Sequence, residues 1–97
     1  MILNHDLIKK IFNDIKNQKN LNVNLSTLNS LLKENKNQKD LLILKGILLS
    51  QLNSNEDAEK LFPLFNSNLY TKNFEQLLKV SLNSYQYELV KELHLDQ

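Results

Sequence analysis

"LLILKGILLSQLNSNEDAEKLF", Leu41–Phe62, decides how this chain is read. It holds the only glycine, Gly46, inside a dense apolar run, and it ends one residue before the only proline, Pro63. Leu41–Leu44 alone would suit a strand. Ile47, Leu48, Leu49 and Leu52 carry the apolar pattern further, to a length that favours a helix. Lys45, Ser50 and Gln51 are the polar breaks in that surface, so the spacing predicts a central helix over Leu41–Leu52, buried on most sides and capped by Asp40. Asn53–Asn55 then turns the chain. Ser54 followed by Asp57 is close to a capping box, and Glu56 and Asp57 suit a helix N-terminus electrostatically. Ala58, Leu61, Phe62 and Phe65 continue as one apolar face until Pro63 removes an amide donor, which predicts a helix end or kink near Phe62. So short a link predicts an antiparallel helical hairpin. A glycine inside a helix costs about 1 kcal/mol relative to alanine. Close approach of the second helix would offset that cost, and the expected partner is the small residue Ala58.

The flanking segments follow the same period. Leu7, Ile8, Ile11, Phe12 and Ile15 make one apolar stripe, predicting a helix over 5–18 with Asn4 as its cap. Leu25, Leu28, Leu31 and Leu32 predict a second helix over 25–35, capped by Asn24 or Ser26. Asn17–Asn24 would be the first link, and "KENKNQKD", Lys33–Asp40, a solvated turn. After a polar link at Asn66–Asn73, Phe74, Leu77, Leu78 and Leu82 predict a helix over 74–83, with Asn73 and Gln76 as a cap pair. Tyr85, Leu89, Val90 and Leu93 predict a last helix over 85–94, with Asn83–Ser84 either breaking or bending the two. Tyr85 and Tyr87 are two residues apart, so one of them falls outside the inward stripe. The expectation is one all-α domain, 1–97, of five or six short antiparallel helices.

Composition narrows the function. With 97 residues the chain has room for one domain. The 22 leucines, against one glycine and one proline, argue for helices and against a turn-rich sandwich. The 15 asparagines cluster near the expected helix ends, where their side chains cap or turn the backbone. Twelve lysines, no arginine and 11 acids give a net charge of +1, which makes no electrostatic case for nucleic acid or acidic lipid. Lys9, Lys10, Lys16 and Lys19 form one modest basic surface and Lys33, Lys36 and Lys39 another, both interrupted by acids; a small DNA-binding regulator stays among the alternatives. The lack of cysteine excludes disulfides and thiolate chemistry and fits a reducing compartment. There is no long apolar stretch and no basic leader, so the expectation is a cytoplasmic protein without membrane insertion.

Sites for chemistry are sparse. His5 and His94 lie near opposite ends, each beside an acid that would not share its helix face. Neither supports a metal site. Glu56, Asp57 and Glu59 are accounted for by helix-start electrostatics. No phosphate loop or nucleophile elbow is present. The expectation is a non-enzymatic protein with no cofactor and no metal. Its leucine and aromatic surplus points to protein binding, with a surface along the helix three to helix five side carrying Leu49, Phe65, Phe74 and Tyr85. Tyr70 and Tyr87 are further aromatics to examine. A small helical immunity or inhibitor protein would show the same signs.

The middle hairpin resembles a tetratricopeptide repeat, with Leu42, Gly46, Leu49, Ala58 and Phe62 in the positions where that motif puts its large, glycine, large, alanine and aromatic residues. Lys45 and Phe65 depart from the motif, and no second clear copy follows at an offset of about 34 residues. In size and in this hairpin the chain is similar to the type III secretion needle-subunit chaperones, which are degenerate tetratricopeptide proteins. That resemblance implies a chaperone or co-chaperone role, a small helical co-chaperone as partner, and a concave side that receives an amphipathic helix of the needle subunit.

Overall fold

The computed structural model describes residues 5–36, 38–65 and 72–94, and among them the chain forms six α-helices, one 3₁₀ turn and no strand. The helices are α1 (His5–Lys16), α2 (Leu21–Glu34), α3 (Lys39–Gln51), α4 (Asn55–Leu61), α5 (Lys72–Ser81) and α6 (Ser84–His94); the 3₁₀ turn is Phe62–Leu64. The link expected at Asn66–Asn73, with Leu69 and Tyr70, falls largely outside the described residues.

α3 is the axis of the molecule. Leu41, Ile43, Leu44, Gly46, Ile47, Leu48 and Leu49 are all buried. They point in nearly every direction around the helix, so no single neighbour can cover them. α2 and α4 pack along α3, and α1, α5 and the 3₁₀ turn close the remaining sides. Ile11 and Ile15 of α1, Leu28 and Leu31 of α2, Leu77 and Leu78 of α5 and Val90 of α6 complete one core.

α3 and α4 are joined through a Schellman-type end. Asn53 takes a left-handed φ of 65°, its N–H donates to the Ser50 carbonyl at 3.1 Å, and the Ser54 N–H donates to Leu49 at 2.8 Å. α1 ends the same way. Gln18 has φ 55°, its N–H donates to Ile15 at 3.1 Å, and the Lys19 N–H donates to Asp14 at 2.7 Å. Glycine is the usual residue at such a position, yet this chain's one glycine is elsewhere.

Gly46 sits where α4 and the 3₁₀ turn come closest to α3. A Cβ placed on it would lie 2.6 Å from Cζ and 3.1 Å from Cε1 of Phe65, with Leu61 Cβ at 3.7 Å. The expected partner, Ala58, is fully buried; the atoms nearest that Cβ belong to Phe65 and Leu61. The physical reason is Pro63. α4 ends at Leu61, a single 3₁₀ turn follows, and the Phe65 N–H donates to the Phe62 carbonyl at 3.1 Å. That turn swings the Phe65 ring back over α3, against Phe62 at 5.5 Å between centroids.

Helix ends differ from the sequence reading in four places. α2 begins at Leu21, so Asn24 is not a cap; it lies buried inside the helix. α3 is preceded by Gln38, leaving Asp40 in the first turn, where its charge still suits the helix dipole. Ser54 holds the N-cap position of α4, but its hydroxyl makes no capping hydrogen bond. α5 has begun by Lys72, which puts Asn73 inside it. The break at Asn83 is real, because the Asn83 side-chain oxygen accepts from the Gln86 N–H at 2.8 Å and starts α6.

Asn24 is buried for Asp14. Its Nδ2 donates to Asp14 Oδ2 at 3.1 Å and reaches the Lys19 carbonyl at 3.4 Å. Asn20, left-handed at φ 54°, adds a long contact to the same oxygen at 3.4 Å. The Asn24 hydrogen bond is the main reason the Asp14 carboxyl is held below its ordinary range; desolvation opposes it, and Asn20, Lys10 and Lys19 add smaller effects in the same direction. A lowered folded-state value means that the contribution to stability is complete above the unfolded carboxylate value of about 3.9. It is lost as pH falls through the folded value. Asp14→Asn is therefore expected to destabilise the protein at neutral pH, with the gap to wild type closing as urea denaturation is repeated toward roughly pH 2. A gap that stays constant over that range would contradict a role for the ionised carboxylate.

Candidate partner-binding surface

The four residues expected to make one partner surface are separated. Phe65 is 2% exposed and fills the space over Gly46. Phe74 is half-buried on α5 and meets Phe12 of α1 edge-on, with ring centroids 5.8 Å apart and planes at 78°. Leu49, 8% exposed, is at the floor of an open groove walled by Leu25 and Asn29 of α2, Lys45 of α3 and Asp57, Lys60 and Leu61 of α4. Tyr85 is 69% exposed on α6. It is the tyrosine outside the inward stripe; Tyr87 is half-buried, with the Lys91 ammonium 5.4 Å from its ring centre. Of the hairpin residues, Phe62 and Ala58 are fully buried, Gly46 is buried and Leu42 is half-buried.

A second groove, of about 280 Å³, runs between α1 and α5 and is lined by Phe12, Lys16, Gln76, Leu77, Lys79 and Val80. Its construction follows from helix periodicity. Ile11 and Ile15 turn α1 inward, which leaves Phe12 on the flank facing α5. Leu77 and Leu78 turn α5 inward, which leaves Val80 on the rim, 66% exposed. The Phe12–Phe74 contact joins the same two helices. The groove over Leu49 is lined by two lysines, Lys45 and Lys60, and by one acid, Asp57, which lies 4.0 Å from Lys60. Such an exposed pair adds little to stability, yet it puts a carboxylate in that groove beside its two lysines. The sequence did contain a signal for the α1–α5 groove. Val80 falls outside the inward stripe of α5 by the same argument that separates Tyr85 from Tyr87.

The opposite kind of surface occurs where the ends of α3, α4 and α6 meet. Gln86 is 1% exposed. Its Oε1 accepts from the Ser50 hydroxyl, and its Nε2 donates to Asn55 Oδ1 at 3.2 Å. Beside it, Gln51 Nε2 donates to the Ile15 carbonyl of α1 at 2.9 Å, while its buried Oε1 has no partner among the described residues. Gln51 and Asn55 lie at an open polar cleft that also exposes Gln18, Asn53 and Asn83. The chemistry available there is neutral hydrogen bonding that ties four helices together.

Among the described residues, no group of three His, Cys, Asp or Glu side chains is placed to hold a metal ion, and no helix is long and apolar enough to cross a membrane. His5 is exposed at the start of α1, and the His94 side chain lies outside the described residues. Compared with known proteins, the chain matches no family model, no curated sequence and no solved structure.

The Gln86 cluster generates a stability prediction. Gln86→Leu keeps the apolar bulk but leaves the Ser50 hydroxyl and the Asn55 amide oxygen without their partner. The expected cost is about 1–3 kcal/mol in urea denaturation. An unchanged midpoint would mean that water satisfies both groups equally well.

Proposed function

We propose that this chain is a non-enzymatic binding protein that holds a helical segment of another protein in the groove between α1 and α5. The supporting observation is Val80. A large apolar side chain, 66% exposed, stands on the rim of a concave strip that already contains Phe12 and Leu77. An apolar strip between two helices is the shape that an amphipathic helix fills, with anchors at helical spacing. The near-neutral net charge and the lack of arginine favour a protein partner over nucleic acid.

A chaperone or co-chaperone of a small exported helical subunit, of the needle-subunit kind, fits this reading. The supporting feature is the α3–α4 hairpin, whose glycine admits a close neighbour as the glycine of a tetratricopeptide hairpin does. The tetratricopeptide-like arrangement and the cytoplasmic location belong to the same proposal. A helical immunity or inhibitor protein would use the same groove for a different partner.

The test is affinity capture from the source cell with wild type and Val80→Asp, after checking that both unfold at the same urea concentration. Wild type is expected to retain a protein that Val80→Asp loses by tenfold or more. A small exported subunit as that protein favours the chaperone, and a toxic enzyme favours the inhibitor. Equal retention by both forms, or tight salt-sensitive binding of DNA or RNA, would overturn the proposal.

A further inference from the structure

We infer that the segment received by the α1–α5 groove is an acidic amphipathic helix, with Asp or Glu flanking its apolar anchors on both sides. The inference rests on the proposed use of that groove and adds the chemistry of what fills it. Its basis is charge. Lys16 stands on the α1 wall and Lys79 on the α5 wall, and no carboxylate lines the groove between them. Both lysines are exposed. Among the described residues neither takes part in an ion pair; the ion pairs described join Lys60 to Asp57 and Lys91 to Glu88. The whole chain is almost neutral, at +1, so an apolar strip with a cation on each wall and no acid is a local departure from its average. The groove over Leu49 differs in carrying an acid: Asp57 sits beside Lys60 there, with Lys45 also on its lining.

The geometry also orders the contributions. Phe12 and Val80 would take the partner's apolar anchors over the buried floor at Leu77 and supply most of the affinity by burial. Lys16 and Lys79 are rim charges, which act mainly on partner choice, orientation and association rate, and lose strength with salt. A lipid surface is the less favoured occupant. The apolar residues line a concave strip between two helices, whereas a bilayer needs a convex apolar face to insert.

The experiment is selection from a displayed peptide library with Leu or Phe fixed at i, i+3, i+4 and i+7 and all flanking positions random, using the whole protein as bait. Enrichment of Asp and Glu at the flanks is expected. A fluorescein-labelled peptide from that pool should bind Lys16→Glu/Lys79→Glu roughly fivefold or more weakly than wild type at low salt. The difference should shrink in high salt. Val80→Ser, at an exposed position, should weaken the same peptide while leaving the unfolding midpoint unchanged. Selected flanks that are basic or random, with binding still sensitive to Val80→Ser, would overturn the acidic helix and leave the groove reading standing. Binders indifferent to Val80→Ser, or no binders from the library, would overturn both. Dimerisation, or flotation with phosphatidylglycerol vesicles, that Val80→Ser abolishes would make a second copy or a lipid surface the occupant and also overturn the inference.

Discussion

The contact between Gly46 and the Phe65 ring sets how closely the second half of the chain lies on the first. α3 is apolar around nearly its whole circumference, so it must be wrapped, and one side of the wrapping is only a short helix and one 3₁₀ turn. A short segment covers a long helix well only by lying close to it. Glycine permits that approach, since a Cβ at this position would fall 2.6 Å from Phe65 Cζ. The helix-propensity penalty of glycine is about 1 kcal/mol. Burying a phenylalanine side chain contributes about 1.5–3 kcal/mol, and Phe65 is 2% exposed. The balance favours the glycine. Pro63 serves the same contact, because ending α4 at Leu61 returns the ring toward α3.

Side-chain amides do much of the remaining work. Two helix ends where glycine is usual carry Gln18 and Asn53 in left-handed conformations, and Asn20 adds a third such residue. Asn24 and Gln86 are the two buried polar residues among those described, and each acts between elements. Asn24 ties α2 back to Asp14 of α1, and Gln86 ties α6 to Ser50 of α3 and Asn55 of α4. A buried amide is costly without its partner. These two therefore penalise arrangements in which the helix ends separate, which an apolar core of interchangeable leucines would do only weakly.

Periodicity made the helices legible. The run from Leu41 to Leu52 was long enough to favour a helix over a strand, and the brevity of Asn53–Asn55 pointed to a neighbour packed on it, which α4 is. It could not reveal partners distant in sequence. Asn24 looks like a cap because asparagine before an apolar run normally is one, and its actual partner, Asp14, is ten residues earlier. Ala58 looks like the partner of Gly46 because the repeat-like spacing puts it there; it is buried, but the turn after Leu61 makes the Phe65 ring the nearest neighbour of the glycine. The candidate surface shows the same limit. Spacing marks Leu49, Phe65 and Phe74 as apolar-face residues, while only packing decides that two are buried and that the third meets Phe12. Val80 went unmarked in the sequence because the groove beneath it depends on how α1 meets α5.

If the close approach at Gly46 organises the core, the effect of a methyl group there must depend on Phe65. The direct measurement is a double-mutant cycle of Gly46→Ala and Phe65→Leu by urea denaturation. Gly46→Ala alone is expected to cost about 1–3 kcal/mol from overpacking. In the Phe65→Leu background the same change should cost at least about 1 kcal/mol less, as the clash is relieved and the helix propensity of alanine is felt. Free energies that add within about 0.5 kcal/mol, or a Gly46→Ala protein more stable than wild type, would contradict the account.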